Sequence, residues 1–83
     1  MRVFYFAWLR ERLGKSSEEL TLPPGIDTPR AMVAWLCELA PDYKAAFADL
    51  SVIRCAIDQE FQPLEARLEG ATEVAFFPPV TGG

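Results

Sequence analysis

The chain has 83 residues, of which 51% are apolar, so it can bury one small hydrophobic core. Its formal net charge is −4, whereas nucleic acids and anionic membranes bind proteins with clustered basic residues. We therefore expect neither partner. No histidine is present and neither a signal peptide nor a membrane-spanning stretch is recognisable, so we expect a cytoplasmic protein with few means of independent catalysis.

The N-terminal quarter of the chain predicts a strand, a short helix and a second strand. Val3–Ala7 is β-branched and aromatic, which favours a buried strand. Trp8–Leu13 predicts one or two helical turns that end at Gly14, a residue that tolerates a left-handed cap. In Glu18–Leu22 apolar and polar residues alternate, which is typical of a strand with one buried face.

A longer helix is predicted in the middle of the chain. Thr28 is suited to its N-cap position and Pro29 to its first position, where the N–H that proline lacks would have no partner anyway. The apolar stripe of this helix comprises Met32, Trp35, Leu36 and Leu39. Pro41 ends the helix, and Tyr43–Leu50 predicts a further short or half-formed helical segment.

Three strands are predicted in the second half of the chain. Val52–Ile57 is the third strand, and Asp58–Gln59 turns the chain into a short fourth strand around Phe61. Glu73–Phe77 is the last strand. Pro78–Pro79 ends its pairing, because proline has no N–H to donate to a sheet.

This order of elements predicts an α+β fold, the β-grasp or ubiquitin-like roll. The most apolar strands are the first and the last, which are expected to lie parallel and adjacent at the centre of a mixed sheet of four to five strands, with one main helix packed across it. We expect residues 1–77 to form this domain and residues 78–83 to form a flexible, extended C-terminal arm.

Residue types that often carry chemistry are interpreted here as structural. Cys37 and Cys55 each lie in an apolar run and are expected to be reduced core thiols, not a disulfide or a metal pair. The dispersed acidic residues, with Glu18 and Asp58 among them, are interpreted as solvated surface charges. We therefore expect neither a metal site nor a bound cofactor.

The two central strands are predicted to leave an aromatic surface uncovered, because alternate residues of a strand face opposite sides of a sheet. The side chains expected to face the helix are those of Val3, Tyr5, Ala7, Val74 and Phe76. Those expected on the other face are Phe4, Phe6, Ala75 and Phe77. A contiguous apolar patch of this kind usually marks a partner site. The alternative is that loops, or the short helix around Leu9, cover the patch.

The C-terminal residues have a composition suited to reaching into a partner. Pro78 and Pro79 stiffen the base of the arm, which at roughly 3.3 Å per residue reaches about 20 Å from the sheet. Val80 and Thr81 offer a short grip, and the Gly82–Gly83 pair can pass through a narrow channel and present its carboxylate there. The alternatives are ordinary terminal fraying or a remnant of an expression vector.

A terminal carboxylate is a poor electrophile, so chemistry at Gly83 requires activation. A partner that uses ATP could convert the carboxylate into an acyl adenylate. A lysine would then form a conjugate, whereas a sulfur nucleophile would form a thiocarboxylate that can deliver sulfur. In both cases the partner supplies the catalytic groups, which fits a chain without histidine.

Residues along the whole chain resemble a known family. Glu73–Gly83, with its Phe-Phe-Pro-Pro-Val-Thr-Gly-Gly ending, is similar almost residue for residue to the C-terminal signature of the small, sulfur-carrying subunit of molybdopterin synthase. Val3–Ala7 followed by Leu9-Arg10-Glu11 and Gly14 resembles the start of that family, and Cys55–Gln59 resembles its Ala-Val-Asn-Gln hairpin. The chain departs from the family where Gly70-Ala71-Thr72 stands in place of Asp-Gly-Asp, and where Asp58 stands in place of asparagine.

The resemblance implies a function, partners and site residues. An adenylating, E1-like activating enzyme would use ATP on Gly83, a sulfur donor protein would convert it to a thiocarboxylate, and Gly82 would permit insertion into the large synthase subunit. Two such deliveries would build the dithiolene of molybdopterin from cyclic pyranopterin monophosphate in a heterotetrameric synthase. The residues expected to contact partners are Phe6, Arg10, Phe77, Pro78, Pro79, Val80 and Thr81.

Two other functions stay open at this point. A sulfur carrier for thiamine or another metabolite shares the fold and the diglycine, although such carriers usually lack a Phe-Phe-Pro-Pro-Val stretch. A ubiquitin-like protein modifier or non-covalent interaction module would need no large synthase subunit.

Overall fold

The computed structural model describes residues 1–79. The predictions for Val80, Thr81, Gly82 and Gly83 lie outside these residues, and the division into a domain of residues 1–77 and an arm of residues 78–83 stays a prediction. The strands are β1 (Arg2–Tyr5), β2 (Ser17–Glu19), β3 (Arg54–Ile57), β4 (Glu60–Gln62) and β5 (Glu73–Phe77). The helices are α1 (Trp8–Leu13), α2 (Pro29–Leu39) and α3 (Pro41–Ala46), with a 3₁₀ turn at Leu50–Val52.

The five strands form one mixed sheet in the order β2-β1-β5-β3-β4. The first and last strands are parallel neighbours at its centre, with Val3 opposite Val74 and Tyr5 opposite Phe76. The other pairs are antiparallel. This arrangement, with the main helix on one face, is the β-grasp fold that the sequence predicts.

Local signals set the ends of several elements as expected. The Thr28 hydroxyl accepts a hydrogen bond from the backbone N–H of Ala31 at 3.1 Å, so it caps α2, and Pro29 is the first residue of that helix. Gly14 ends α1 with a φ of +73°, in the left-handed region that glycine adopts without strain. Both helix boundaries depend on contacts within a few residues, which a sequence pattern can predict.

Other boundaries differ from the predictions because the observed strands are shorter or begin and end at other residues. Ala7 has a φ of +56° and is exposed, so the chain leaves the sheet after Tyr5 and does not continue as a strand to Ala7. Strand β3 starts at Arg54, not Val52, because the Asp49 carboxylate caps the preceding 3₁₀ turn by accepting from the Ser51 N–H. Strand β2 runs from Ser17 to Glu19 and not on to Leu22.

The hydrophobic core lies between the sheet and the helices. Val3, Tyr5, Val74 and Phe76 face this layer and are at most 1% exposed, as the strand alternation predicts. From α2 the buried residues include Met32, Val33 and Leu36. Leu39 was predicted to join them, but it is 52% exposed because it lies in the last turn, where the chain passes into α3.

Aromatic side chains fill the space beside α3. The Phe47 and Phe76 rings meet edge to face with centroids 5.4 Å apart, and Tyr5 stacks beside Phe76 at 6.5 Å. Cys55 is buried in the same core and Cys37 is half-buried against it; both are free thiols. None of the helices within residues 1–79 combines the length and the hydrophobicity that a membrane-spanning helix requires.

Glu18 was predicted to be a solvated surface charge, and this prediction is wrong. The Tyr5 and Tyr43 hydroxyls donate to its Oε2 at 2.7 and 2.5 Å, and the Lys15 ammonium donates to its Oε1 at 3.0 Å. Burial by itself would raise the pKa of Glu18, but the hydrogen bonds from Tyr43, Tyr5 and Lys15 outweigh burial and lower the pKa. The carboxylate therefore links β1, β2 and α3.

Candidate functional site

The face of the sheet opposite the helices carries a hydrophobic groove of about 480 Å³. Its floor contains the small residues Ala56 and Ala75, which are paired neighbours on β3 and β5. Aromatic rings stand on both sides of this floor. The residues that line the groove are Phe4, Phe6, Ala56, Gln59, Phe61, Glu73, Ala75 and Phe77.

The aromatic rings of the groove form two pairs. Phe4 and Phe6 stack with centroids 6.4 Å apart on one side, and Phe61 and Phe77 lie 5.5 Å apart on the other. The strands position them: Phe6 follows β1 and donates its backbone N–H to the Phe76 carbonyl, and Phe77 is the last residue of β5. The groove therefore adjoins the point where the chain leaves the sheet.

The predicted exposure of this face is confirmed. Of the residues predicted on this face, Phe6 is 48% exposed, and Phe4, Ala75 and Phe77 are partly exposed. Phe61, which the prediction did not include, is 83% exposed. The alternative, that the short helix covers the face, is wrong, because Leu9 of α1 is fully buried in the core. Large exposed phenyl groups next to an alanine floor form a surface on which a partner's apolar side chains can be buried.

Phe61 is a groove residue that the sequence analysis did not assign to the site. The sequence predicts a strand around it but not which face its side chain occupies. The two-residue turn Asp58–Gln59, with φ values of +48° and +71°, sets the register of the hairpin so that Phe61 pairs with Ala56. Pairing the residues on the two sides of the predicted turn would have set Phe61 opposite Ala56, on the same face of the sheet.

The predicted site residues are brought together only in part. Phe6 and Phe77 share the groove described above. Pro79 lines a second groove of about 620 Å³ together with Phe77 and Phe61, and these two rings also line the first groove. Pro78 is half-buried. Arg10 is exposed on α1 and lines neither groove, so the structure does not join it to the other site residues.

The two departures from the family pattern contact each other. The Asp58 carboxylate accepts hydrogen bonds from the Thr72 N–H, the Thr72 hydroxyl and the Glu73 N–H, at 2.9 to 3.0 Å. The hydrogen bonds from the Thr72 and Glu73 backbone lower the pKa of Asp58. Asp58 is exposed, as predicted, but it is not free in solvent: it ties the β3–β4 turn to the start of β5, one side of the groove floor.

Comparison with known proteins places the chain in a family. Residues 3–83 match the ThiS family. The chain belongs to this family. Over its whole length it is 36% identical to the molybdopterin synthase sulfur carrier subunit of Mycosarcoma maydis, of which 92% is covered. It is 32% identical to the subunit of the same name from Haemophilus influenzae and 30% identical to that from Escherichia coli, and in each case the whole chain matches 99% of the relative.

Solved structures agree with the fold of this ThiS family member. The putative molybdopterin converting factor, subunit 1, from Pyrococcus furiosus superposes with a TM-score of 0.70 at 25% identity, with 95% of each chain covered. SAMP1 from Haloferax volcanii superposes with a TM-score of 0.74 at 24% identity, covering the whole of this chain and 98% of SAMP1. The resemblance to the small-subunit family, stated from the sequence, is thereby confirmed at the level of family and fold.

Proposed function

We propose that this chain is the sulfur carrier and small subunit of molybdopterin synthase. The observation that carries the proposal is the open aromatic groove at the end of β5, directly before the residues Pro-Pro-Val-Thr-Gly-Gly. Relatives named as molybdopterin synthase sulfur carrier subunits match the chain from end to end, which supports the same assignment.

In this proposal the groove binds partners and the C-terminal residues carry the reactive group. A hydrophobic side chain of the large synthase subunit would enter between the phenyl pairs and displace water from Phe6 and Phe61. The rings next to Phe77 would then hold the base of the arm, while Val80 and Thr81 grip the walls of a channel. Gly82 would pass the narrowest point, where any side chain would collide with the wall.

Gly83 would be the reactive residue. Its carboxylate oxygen attacks the α-phosphorus of ATP on an E1-like activating enzyme, pyrophosphate leaves, and an acyl adenylate forms. A sulfur donor protein then supplies sulfur at the sulfide level, which attacks the acyl carbon; the C–O bond to AMP breaks, AMP leaves, and Gly83 becomes a thiocarboxylate with no change of oxidation state. This soft nucleophile delivers sulfur to cyclic pyranopterin monophosphate in the large subunit, and two deliveries complete the dithiolene.

The chain itself contributes presentation and docking to this reaction, not catalytic groups. It has no histidine, and the pKa of the buried Cys55 thiol is raised to about 11, mainly by burial, so at neutral pH this thiol is not a nucleophile. ATP is consumed on the activating enzyme, and the proposal assigns no bound cofactor to this chain. Two small and two large subunits would form the working heterotetramer.

Intact-mass spectrometry tests the carrier role. The chain is incubated with its activating enzyme, ATP and a sulfur donor, and we expect the mass gain produced by replacing one oxygen with sulfur. The matched control is the chain that lacks Gly83, which should show no mass gain. No gain in the full chain, with enzymes shown to be active on another carrier, contradicts the proposal.

A second experiment separates molybdopterin synthesis from other sulfur-carrier pathways. The thiocarboxylated chain is mixed with the large synthase subunit and cyclic pyranopterin monophosphate, and we expect a dithiolene product together with return of the chain to its carboxylate mass. If the mass gain forms but no dithiolene appears, the chain carries sulfur for thiamine or another metabolite.

A further inference from the structure

Primary amines are scarce in this chain, and most of them are engaged. The sequence contains two lysines, Lys15 and Lys44. The α-amino group of Met1 donates to the Leu20 carbonyl at 2.9 Å and forms an ion pair with the Glu19 carboxylate at 2.9 Å. Amines matter here because an activated C-terminal acyl group reacts with them to form a stable amide.

Lys15 is held by the polar network around Glu18. Its ammonium donates to Glu18 Oε1 at 3.0 Å and to the Tyr43 hydroxyl at 2.9 Å, and it lies 5.1 Å from the centre of the Tyr43 ring. The Tyr43 and Tyr5 hydroxyls donate to the same carboxylate, which fixes its position. The hydrogen bond to Tyr43, followed by the contacts with Glu18, outweighs burial and raises the pKa of Lys15.

This geometry makes Lys15 a poor nucleophile. Only the neutral amine attacks an acyl carbon, and deprotonation of Lys15 would remove the charge that Glu18 stabilises. Lys44 differs: it is exposed on α3, and its side chain makes no hydrogen bond or ion pair with any residue from 1 to 79. Hydrogen bonds therefore shield the Lys15 ammonium, although 39% of its side chain is exposed, whereas the exposed Lys44 amine can meet an electrophile.

We propose that the Glu18–Tyr43 network protects Lys15 from acylation, so that Lys44 is the acyl acceptor of this chain. Activated Gly83 then reacts with sulfur nucleophiles in preference to most of the chain's own amines. This preference for sulfur nucleophiles rests on the proposed function. In the competing reaction the neutral Lys44 amine attacks the Gly83 carbonyl of another copy. A C–N bond forms, the bond to AMP or to a thiol leaving group breaks, and the amine proton passes to solvent, with no change of oxidation state.

Limited acetylation of the folded chain tests the shielding without involving Gly83. N-hydroxysuccinimidyl acetate is the probe, and peptide mass spectrometry gives the rate at each lysine. We expect Lys44 to react about tenfold faster than Lys15 or more, the factor that one charge-assisted hydrogen bond provides. Equal rates at the two lysines overturn the proposal, whatever the outcome of the sulfur-carrier experiments.

Two variants assign the effect to the network. Glu18→Gln and Tyr43→Phe should each raise the rate at Lys15 and leave the rate at Lys44 unchanged, with near-ultraviolet circular dichroism confirming the fold. Tyr43→Phe keeps the buried ring and the Glu18 carboxylate, so it remains informative if Glu18→Gln unfolds. An unchanged Lys15 rate in a folded variant overturns the role of the network.

The acceptor role of Lys44 is tested with a thioester at Gly83, prepared by intein cleavage. When this form is incubated alone, we expect a slowly formed amide-linked dimer in which Gly83 is attached to Lys44. Lys44→Arg should abolish this product while leaving thioester hydrolysis unchanged. Linkage through Lys15, or a dimer that persists in Lys44→Arg, overturns the assignment of Lys44, and so does the absence of any linked product.

Discussion

Truncation of Phe61 should separate binding from stability. The ring is 83% exposed and packs mainly against Phe77, so Phe61→Ala removes little that holds the fold together. Full burial of a phenylalanine side chain is worth about 1.5–3 kcal/mol. Because most of the ring is still available for burial in a complex, the variant should lose about 1.2–2.5 kcal/mol of binding free energy, or roughly 8- to 70-fold in Kd.

The assay is isothermal titration calorimetry of the variant against the large subunit of molybdopterin synthase, together with urea unfolding of the free chain. The matched control is Leu39→Ala, which truncates another exposed apolar side chain, 52% exposed, on the helical layer. We expect Leu39→Ala to leave the affinity unchanged. The free energy of unfolding should change by less than about 0.5 kcal/mol for Phe61→Ala.

Two results would refute this reasoning. If Phe61→Ala binds as tightly as the parent chain, the groove is not the docking surface, even if Gly83 still carries sulfur. If Leu39→Ala weakens binding as much as Phe61→Ala does, the loss reflects a general effect of apolar truncation. A companion variant, Phe6→Ala, starts from a ring that is 48% exposed and should lose less affinity than Phe61→Ala.

Three further outcomes are expected. Gly82→Val should leave the melting temperature unchanged, because the core is complete at Phe76, and should abolish dithiolene formation; retained synthesis in a coupled assay would contradict the channel role. Glu18→Gln should lower the free energy of unfolding by about 1–3 kcal/mol at pH 7. Because the pKa of Glu18 in the folded chain lies below the ordinary 4.5, the parent chain should lose this extra stability as the pH falls below about 4.5. Urea unfolding of the variant should depend less on pH in this range. Cys55, with its raised pKa and burial, should resist iodoacetamide at pH 8 until urea unfolds the chain, and rapid alkylation of the native form would show an open core.

The sequence predicted those features that arise from interactions between near neighbours in the chain. Thr28 and Pro29 specify the start of α2, because capping and the fixed φ of proline act within one helical turn. The strand Glu73–Phe77 was predicted with its observed bounds, since two prolines cut off a continuous apolar run. The alternation of side chains along a strand assigned Phe4, Phe6 and Phe77 to the open face.

The tertiary structure alone decided which distant polar groups meet and where the groove ends. Glu18 looked like any surface carboxylate until folding brought Tyr43, 25 residues away, within hydrogen-bond distance. Asp58 likewise acquires its role from Thr72, 14 residues away, a partner that no pattern near Asp58 predicts. Hydrogen-bond partners and charge environments depend on three-dimensional proximity, whereas helix caps and strand faces depend on residues that are close in the sequence. The sequence therefore determined the sheet, and the folded structure determined the polar networks around Glu18 and Asp58.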